Sequence, residues 1–116
     1  MKFKMIVAVV ADEITQAVID TARDAGATGC TVVTNARGEG LKPPKTFLGL
    51  TVEGQRDVVL MFVEEHLCRH ILESIAEAGQ FEDRPSIGVA VQIDIEDAVG
   101  MGHQIKQIER EIEDEL

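Results

Sequence analysis

Apolar runs and helical repeats alternate along the chain in an order that predicts four strands. Phe3 to Val10 is rich in Val, Ile and Met, which is typical of a strand. Thr31 to Thr34 is a β-branched run that predicts a second strand, and Asp57 to Val63 predicts a third. Ile87 to Ile95 alternates apolar with small or polar residues, which is the period-two pattern of a fourth strand.

Three other stretches repeat apolar residues at helical spacing. The first lies between the first two strands and ends at Gly26. The second begins at Glu64 or Glu65 and ends at Gly79, and the third runs over residues 103–116 with a thin apolar stripe. We expect the core faces of the first two helices to contain Ile14, Val18, Ala22, Ala25, Leu67, Ile71, Ile75 and Ala78.

Two strand–helix–strand halves followed by a helix predict an α+β fold. In the ferredoxin-like arrangement, two such halves form a four-stranded antiparallel sheet with both helices on one face. We expect this βαββαβ order with an extra C-terminal helix, a long loop between strands 2 and 3, and one domain over residues 1–116. The first and third strands carry apolar residues on both faces, so the face without helices needs a cover. A homo-oligomer supplies that cover with copies of the same chain.

The connection between the second and third strands is too long for a tight hairpin. It runs from Ala36 to Gln55 and is interrupted by glycines and prolines. Long loops in compact domains are commonly functional, and the apolar residues of this one indicate a contact surface. We expect a protein partner to bind through Pro43, Pro44, Phe47 and Leu48, the alternative being a rigid loop without a partner.

The charge balance narrows the range of partners. Lys and Arg number 11 against 21 Asp and Glu, which gives a formal net charge of −10. A chain this acidic is repelled by nucleic acid and by anionic membranes, so we expect it to bind neither. No apolar run approaches the ~20 residues that span a bilayer. Cys30 and Cys68 are far apart and are typical of buried free thiols, which predicts a cytoplasmic protein.

Two short motifs resemble those of PII signal-transduction proteins. The turn from Asp24 to Val32 reads D-A-G-A-T-G-C-T-V and is similar to the family's G-x-T/S-G-x-T-V pattern. The residues Arg37-Gly38-Glu39-Gly40 are similar to the K/R-G-x-G at the base of the family's long T-loop. The resemblance covers residues 3–97, where the order and spacing of strands and helices fit as well.

The resemblance implies a homotrimer that binds adenine nucleotides between subunits and takes part in nitrogen regulation. Its T-loop, here residues 41–55, would dock onto a transporter or an enzyme. ATP, ADP and AMP are the candidate ligands, and no cofactor is required. Glycine lets backbone N–H groups approach a phosphate, and a cation neutralises its charge. The implied ligand-binding residues are Arg37, Gly38, Gly40, Lys42, Gly79 and Arg84.

The loop after the second helix departs from the family pattern, which reads T-G-x-x-G-D-G-K. Residues Ala78 to Pro85 read A-G-Q-F-E-D-R-P, without the Thr, two of the glycines and the Lys. The family's arginine pair after the last strand is replaced by Ile95 to Val99. Because a triphosphate would be poorly neutralised, we expect weaker ATP binding, a less charged nucleotide or a different small anion. The chain has no Tyr, so the T-loop uridylylation of some relatives cannot occur.

Two other classes of function stay open from the sequence. One is a metal-binding or metal-stress-related trimer of similar fold, because His66 and His70 are four residues apart on a helix and Cys68 lies between them. A solvated helix face explains the same histidines, and no third ligand stands at a characteristic spacing. The other is an enzyme, which no GxSxG or Walker A motif supports. Tight turns also explain the loop glycines without a ligand.

Overall fold

The computed structural model describes residues 1–37, 45–47, 50–52 and 54–115, with side chains described over 1–37 and 54–113. A short 3-10 turn, Asp12–Ile14, joins the first strand to the first helix. The strands and longer helices, in chain order, are β1 (Phe3–Ala11), α1 (Thr15–Asp24), β2 (Thr31–Arg37), β3 (Lys45–Phe47), β4 (Leu50–Val52), β5 (Gln55–Glu64), α2 (Glu65–Gly79), β6 (Gly88–Asp94) and α3 (Gly102–Glu115).

Four of these strands form one antiparallel sheet in the order β2-β5-β1-β6. The strand β1 pairs with β5 along its whole length, and with β6 from Lys4 opposite Asp94 to Val10 opposite Gly88. The strands β3 and β4 form a separate two-stranded sheet within the connection between β2 and β5. The predicted ferredoxin-like fold, with its long connection and its extra C-terminal helix, is confirmed.

The core is aliphatic and lies between the sheet and the helices α1 and α2. Alternate residues of β1 and β5 face it, and each fully buried Ile, Val or Met stabilises the fold by about 1.5–3 kcal/mol. The core residues are Ile6, Ala8, Val10, Val18, Ala22, Ala27, Val59, Met61, Val63, Cys68, Ile71 and Ile75. The expectation that Ala78 belongs to this set is wrong, because Ala78 is exposed and Gly79 is buried instead.

The other face of the sheet is apolar and is not covered by any of the residues that the structure describes, and we call it the open face. Three rows of residues cross it, each with one residue from β5, β1 and β6: Phe62, Met5 and Ile93; Leu60, Val7 and Val91; Val58, Val9 and Val89. The side chains of Phe62, Ile93, Val91 and Val89 are between 43% and 57% exposed. The structure therefore confirms apolar residues on both faces of the central strands.

The second strand carries a β-bulge between Val33 and Ala36. Within it, Asn35 has a φ of 62°, a left-handed conformation that Asn tolerates better than most residues. The bulge shifts the register by one residue, so that Ala36 lies opposite Arg56 and Arg37 lies opposite Gln55. The bulge thus sets which residues of β2 and β5 meet where the long connection begins and ends.

Both ends of α2 lie where the sequence predicts them. The Glu64 carboxylate accepts a hydrogen bond from the His66 backbone N–H at 2.8 Å and so caps α2, in agreement with the predicted start. The predicted stop at Gly79 is confirmed, and the next residue, Gln80, takes the left-handed conformation that caps α2, with a φ of 56°. None of the described helices has the length and apolar character needed to cross a lipid bilayer.

Candidate ligand site at one end of the sheet

One end of the sheet brings together the two loops that the sequence predicts to bind a ligand. At this end Ala36 of β2 lies opposite Arg56 of β5, and Arg56 lies opposite Ala11 of β1. The Ala11 N–H donates to the carbonyl of Ile87 at 2.8 Å, just before β6 begins. Because neighbouring strands are about 4.8 Å apart, this row of four spans about 14 Å. The base of the β2–β5 connection therefore lies on the same end as residues 80–87, the α2–β6 loop.

The α2–β6 loop is folded by its own backbone hydrogen bonds. The carbonyl of Gln80 accepts from the N–H groups of Asp83 and Arg84, at 3.2 and 3.0 Å. The Ile87 N–H donates to the carbonyl of Arg84 at 3.2 Å, and the Phe81 N–H donates to that of Ala76 at 3.0 Å. Four of the backbone donors that could approach a phosphate are therefore already used within the protein. An anion at this loop depends mainly on side chains.

Gly79 makes room for an aromatic ring. A Cβ built at Gly79 would lie 2.5 Å from Phe81 Cε1 and 3.2 Å from Ile14 Cδ1, both closer than ordinary contact. A Cβ at Gly88 would likewise lie 2.7 Å from Phe81 Cε1. Phe81 is half-buried against the core, so packing alone accounts for glycine at both positions. The ligand-binding role of Gly79 stays a prediction.

Arg84 is held at this end of the sheet by an ion pair. Its Nη2 lies 3.0 Å from Oε1 of Glu13, a residue of the 3-10 turn that follows β1. The side chains of Arg84 and Glu13 are 47% and 62% exposed, so both are open to a ligand from solvent. The structure therefore places the predicted Arg84 beside a carboxylate that the sequence pattern did not single out.

Two further arginines lie at the same end of the sheet. Arg37 ends β2 opposite Gln55 and is exposed, as its predicted ligand role requires. Arg56 is the second residue of β5 and is half-buried, in register with Ala36 and Ala11. The sequence pattern missed Arg56 because it follows directly on the long loop-like segment. A basic residue immediately before the apolar run of β5 is the signal that could have found it.

Several predicted site residues cannot be placed. Phe47 is the last residue of β3, and its side chain lies outside the described part of the chain. The remaining predicted residues of the β2–β5 connection, two of them glycines of the loop base, lie wholly outside the described residues: Gly38, Gly40, Lys42, Pro43, Pro44 and Leu48. Their ligand-binding and partner-binding roles stay predictions.

The histidines of α2 lie at the opposite end of the sheet, where the Glu65 N–H donates to the carbonyl of Lys2 at 3.0 Å. His66 Nδ1 is 2.7 Å from Glu64 Oε1, and the hydrogen bond and negative charge of Glu64 raise the pKa of His66. Cys68 is buried, which raises the pKa of its thiol and disfavours the thiolate that metals bind. Over residues 1–37 and 54–113, no three His, Cys, Asp or Glu side chains converge as metal ligands.

A cleft of about 610 Å³ also lies at that opposite end. It is walled by Lys2 and Lys4, by apolar residues from the chain start and from α3, and by four carboxylates, those of Glu65, Asp94, Glu96 and Asp97. Lys4 Nζ is already 3.1 Å from Asp94 Oδ1. Because acidic side chains outnumber basic ones, the cleft does not favour an anionic ligand.

The chain is similar to known proteins in both sequence and fold. The family model of nitrogen regulatory protein P-II matches residues 3–104. Solved structures of CPII, a nitrogen regulatory PII-like protein from Thiomonas intermedia K12, have the same fold. One, bound to ADP, AMP and bicarbonate, gives a TM-score of 0.61 at 18% identity over 85% of this chain and 98% of that chain.

Two other CPII structures agree. One, bound to ADP, AMP and acetate, gives a TM-score of 0.62 at 23% identity over 82% of this chain and 90% of that chain. The apo form gives 0.63 at 22% identity, with the same shares of the two chains covered. No curated protein sequence matches the chain at a significant level. The family match extends over most of the sequence, and the chain belongs to the nitrogen regulatory protein P-II family.

Proposed function

We propose that this P-II family protein is a regulator that binds an adenine nucleotide at the end of the sheet that carries Arg37, Arg56 and Arg84. The observation that carries the proposal is the row from Ala36 to Ile87, which puts the base of the β2–β5 connection beside the α2–β6 loop. The CPII structures of the same fold hold ADP and AMP, which supports nucleotides as the ligand class.

The proposed site neutralises phosphate with side chains. Arg84 and Arg37 are exposed at this end, and Arg56 is half-buried on β5, between β2 and β1. The α2–β6 loop offers few backbone donors, because five of its N–H groups, including that of Gln80, are used internally. Acidic residues surround Arg84, including Glu13, Glu82 and Asp83, and they limit how much negative charge the site accepts. AMP and ADP are therefore the proposed ligands in preference to ATP.

Isothermal titration of the purified protein with ATP, ADP, AMP and cyclic AMP, with and without Mg²⁺ and bicarbonate, tests the proposal. We expect saturable binding at one site per subunit. Arg84→Gln weakens the binding of AMP roughly ten- to a hundredfold, because a hydrogen bond to a charged group contributes ~1.5–3 kcal/mol. The control Arg69→Gln removes a more exposed arginine, also paired with a glutamate, from α2 and leaves binding unchanged. Absence of binding by every nucleotide would refute the proposed ligand class.

The proposed assembly is a homotrimer in which the subunits cover one another's open face. The support is the set of apolar side chains that one chain leaves exposed there, with Val89 at 57% and Val91 at 48%. Within the trimer, nucleotide sites lie between subunits. Light scattering on the purified protein is expected to give three times the 12.7 kDa mass of one chain.

In the proposed regulation, the β2–β5 connection binds a protein target, which is a transporter or an enzyme of nitrogen metabolism. In this proposal residues 1–116 form one PII-like domain, with residues 41–55 as its T-loop and α3 as a C-terminal addition. Deleting residues 42–54 leaves the oligomer intact and abolishes target binding. Full target binding by the deleted protein would show that the target is held elsewhere.

No catalytic role is proposed for the chain. The Thr15 hydroxyl donates to Asp57 Oδ2 at 2.7 Å, but both residues are at least nine-tenths buried, so a substrate does not reach them. A cytoplasmic location is part of the proposal and is supported by the free cysteines, Cys30 and Cys68.

A further inference from the structure

Arg84 has a special position in the proposed nucleotide site. It is the only basic residue among residues 80–87, and it pairs with Glu13, which lies 71 residues earlier in the chain, at 3.0 Å. The contact joins the α2–β6 loop to the turn after β1. A phosphate that accepts a hydrogen bond from the Arg84 guanidinium must therefore displace Glu13 or share the arginine with it.

The backbone of the α2–β6 loop does not relieve this competition. The N–H groups of Phe81, Asp83, Arg84 and Ile87 donate to carbonyls of the protein, and residue 85 is a proline without an N–H. The N–H groups of Glu82 and Ser86 are the loop donors not used in this way, so a phosphate at this loop depends mainly on the Arg84 side chain for charge neutralisation. When it binds there, the Glu13 carboxylate remains nearby without its cationic partner.

The remaining carboxylate repels the ligand in proportion to the ligand's charge. Electrostatic repulsion between like charges grows with each added charge, and it is stronger at a partly buried site than in bulk water. AMP, ADP and ATP differ by one phosphate each, so the penalty rises along the series. Glu82 and Asp83 add to the field but make no ion pair with Arg84.

We infer that Glu13 is a specificity-determining residue of the proposed site, which competes with phosphate for Arg84 and selects the less charged adenine nucleotides. The inference rests on the proposed nucleotide-binding function. Under this inference Glu13 discriminates between nucleotides of different charge, although it lies outside the two loops at which nucleotide contacts were predicted.

Titration of wild type and Glu13→Gln with Mg²⁺-free AMP, ADP and ATP tests the inference. The substitution keeps the size of the side chain and removes its charge. Loss of the competing charge strengthens AMP binding roughly twofold to fivefold, the range of one exposed ion pair. ATP gains roughly tenfold or more, because the repulsion from its extra charges also disappears. Adding Mg²⁺, which neutralises part of the triphosphate, narrows the difference between the two proteins for ATP.

Two further variants separate Glu13 from general charge effects. Glu73→Gln breaks the comparable 2.8 Å pair with Arg69 on α2 and removes the same unit of charge from the chain, and it leaves nucleotide preference unchanged. In an Arg84→Gln background, Glu13→Gln gives a smaller gain than in wild type, because part of its effect passes through Arg84.

The outcomes distinguish the two proposals. A gain in Glu13→Gln that is larger for ATP than for AMP supports the inference. An equal gain for all three nucleotides, or none, overturns the selection role while nucleotide binding stands. If neither wild type nor Glu13→Gln binds any nucleotide, the proposed function fails, and the role of Glu13 fails with it.

Discussion

The Thr15 hydroxyl, at the start of α1, donates a 2.7 Å hydrogen bond to the Asp57 carboxylate on the core side of β5. Thr15 is 8% exposed and Asp57 is 9% exposed, so the bond is shielded from water. It links residues 42 positions apart and fixes the first turn of α1 onto the sheet, close to the end that carries Arg56. A buried carboxylate that loses its donor is costly to the folded state.

We expect Thr15→Val, which keeps the shape of the side chain and removes the hydroxyl, to lower the free energy of unfolding by about 1–3 kcal/mol. Thr15→Ser, which retains a hydroxyl, should recover most of that loss. Urea unfolding at one fixed protein concentration measures both. A Thr15→Val protein as stable as wild type would show that the hydrogen bond makes no net contribution.

The pair of Glu64 and His66 predicts a pH dependence at the start of α2. The hydrogen bond and charge of Glu64 raise the pKa of His66 above the usual 6.5. A raised pKa in the folded state means that the pair stabilises the protein fully below about pH 6.5, and that this contribution is lost as pH rises through the folded-state pKa. A proton NMR titration is expected to show a lower His66 pKa in Glu64→Gln than in wild type.

The control for this titration is Glu73→Gln, which removes a carboxylate from the same helix that pairs with Arg69 and not with a histidine. It leaves the His66 titration where wild type has it. A His66 pKa that is the same in wild type and Glu64→Gln would show that Glu64 does not raise it. The start of α2 would then be capped independently of the charge on His66.

The contact of Gly79 with Phe81 predicts a steric effect that separates packing from ligand binding. Gly79→Ala brings a methyl group to within 2.5 Å of the Phe81 ring and should destabilise the fold by about 1–3 kcal/mol. The double variant Gly79→Ala/Phe81→Leu relieves the overlap and recovers part of the loss. Thermal unfolding measures stability, and AMP titration of the double variant shows whether Gly79 also serves the ligand.

The open face predicts how the oligomer is disrupted. Val91→Asp places a charge in the middle row of the open face, on the edge strand β6, where covering it costs several kcal/mol. We expect this variant to give particles of one chain with α-helical content intact. Gln92→Asp puts the same charge on the neighbouring residue of β6, which points to the other face, and should keep the particle mass of wild type. A Val91→Asp protein with the mass of wild type would exclude the open face from the interface. Light scattering measures the particle mass of both variants, and circular dichroism measures their helical content.

Most of the fold was predictable because each strand and helix buries one face, and burial leaves a period in the sequence. The runs that became β1 and β5 are apolar over most of their length, the run of β6 alternates, and α1 and α2 repeat apolar residues at helical spacing. The exceptions are local. Ala78 was expected in the core but is exposed, and Gln80, a residue with a side chain, takes the left-handed conformation after α2.

The candidate site was less predictable because it depends on contacts between distant segments. Arg84 was identified from the loop sequence, but its partner Glu13 is brought near only when β6 pairs with β1. The position of Arg37 opposite Gln55 depends on a bulge at Asn35, and the hydrophobic pattern of the sequence does not predict that bulge. Contacts of this kind follow from register, and a one-residue shift in register would change each of them.

The open face has a consequence for how this protein behaves when its amount changes. If burial of Val89, Val91 and Phe62 occurs only in the assembled protein, part of the stabilisation of each subunit comes from its neighbours. Mass action then applies: dilution favours separated and less stable chains, and a higher concentration favours the folded assembly. The melting temperature would rise with protein concentration. In a cell that makes too little of the chain, unfolding would therefore reduce the amount of functional protein even when the ligand is abundant.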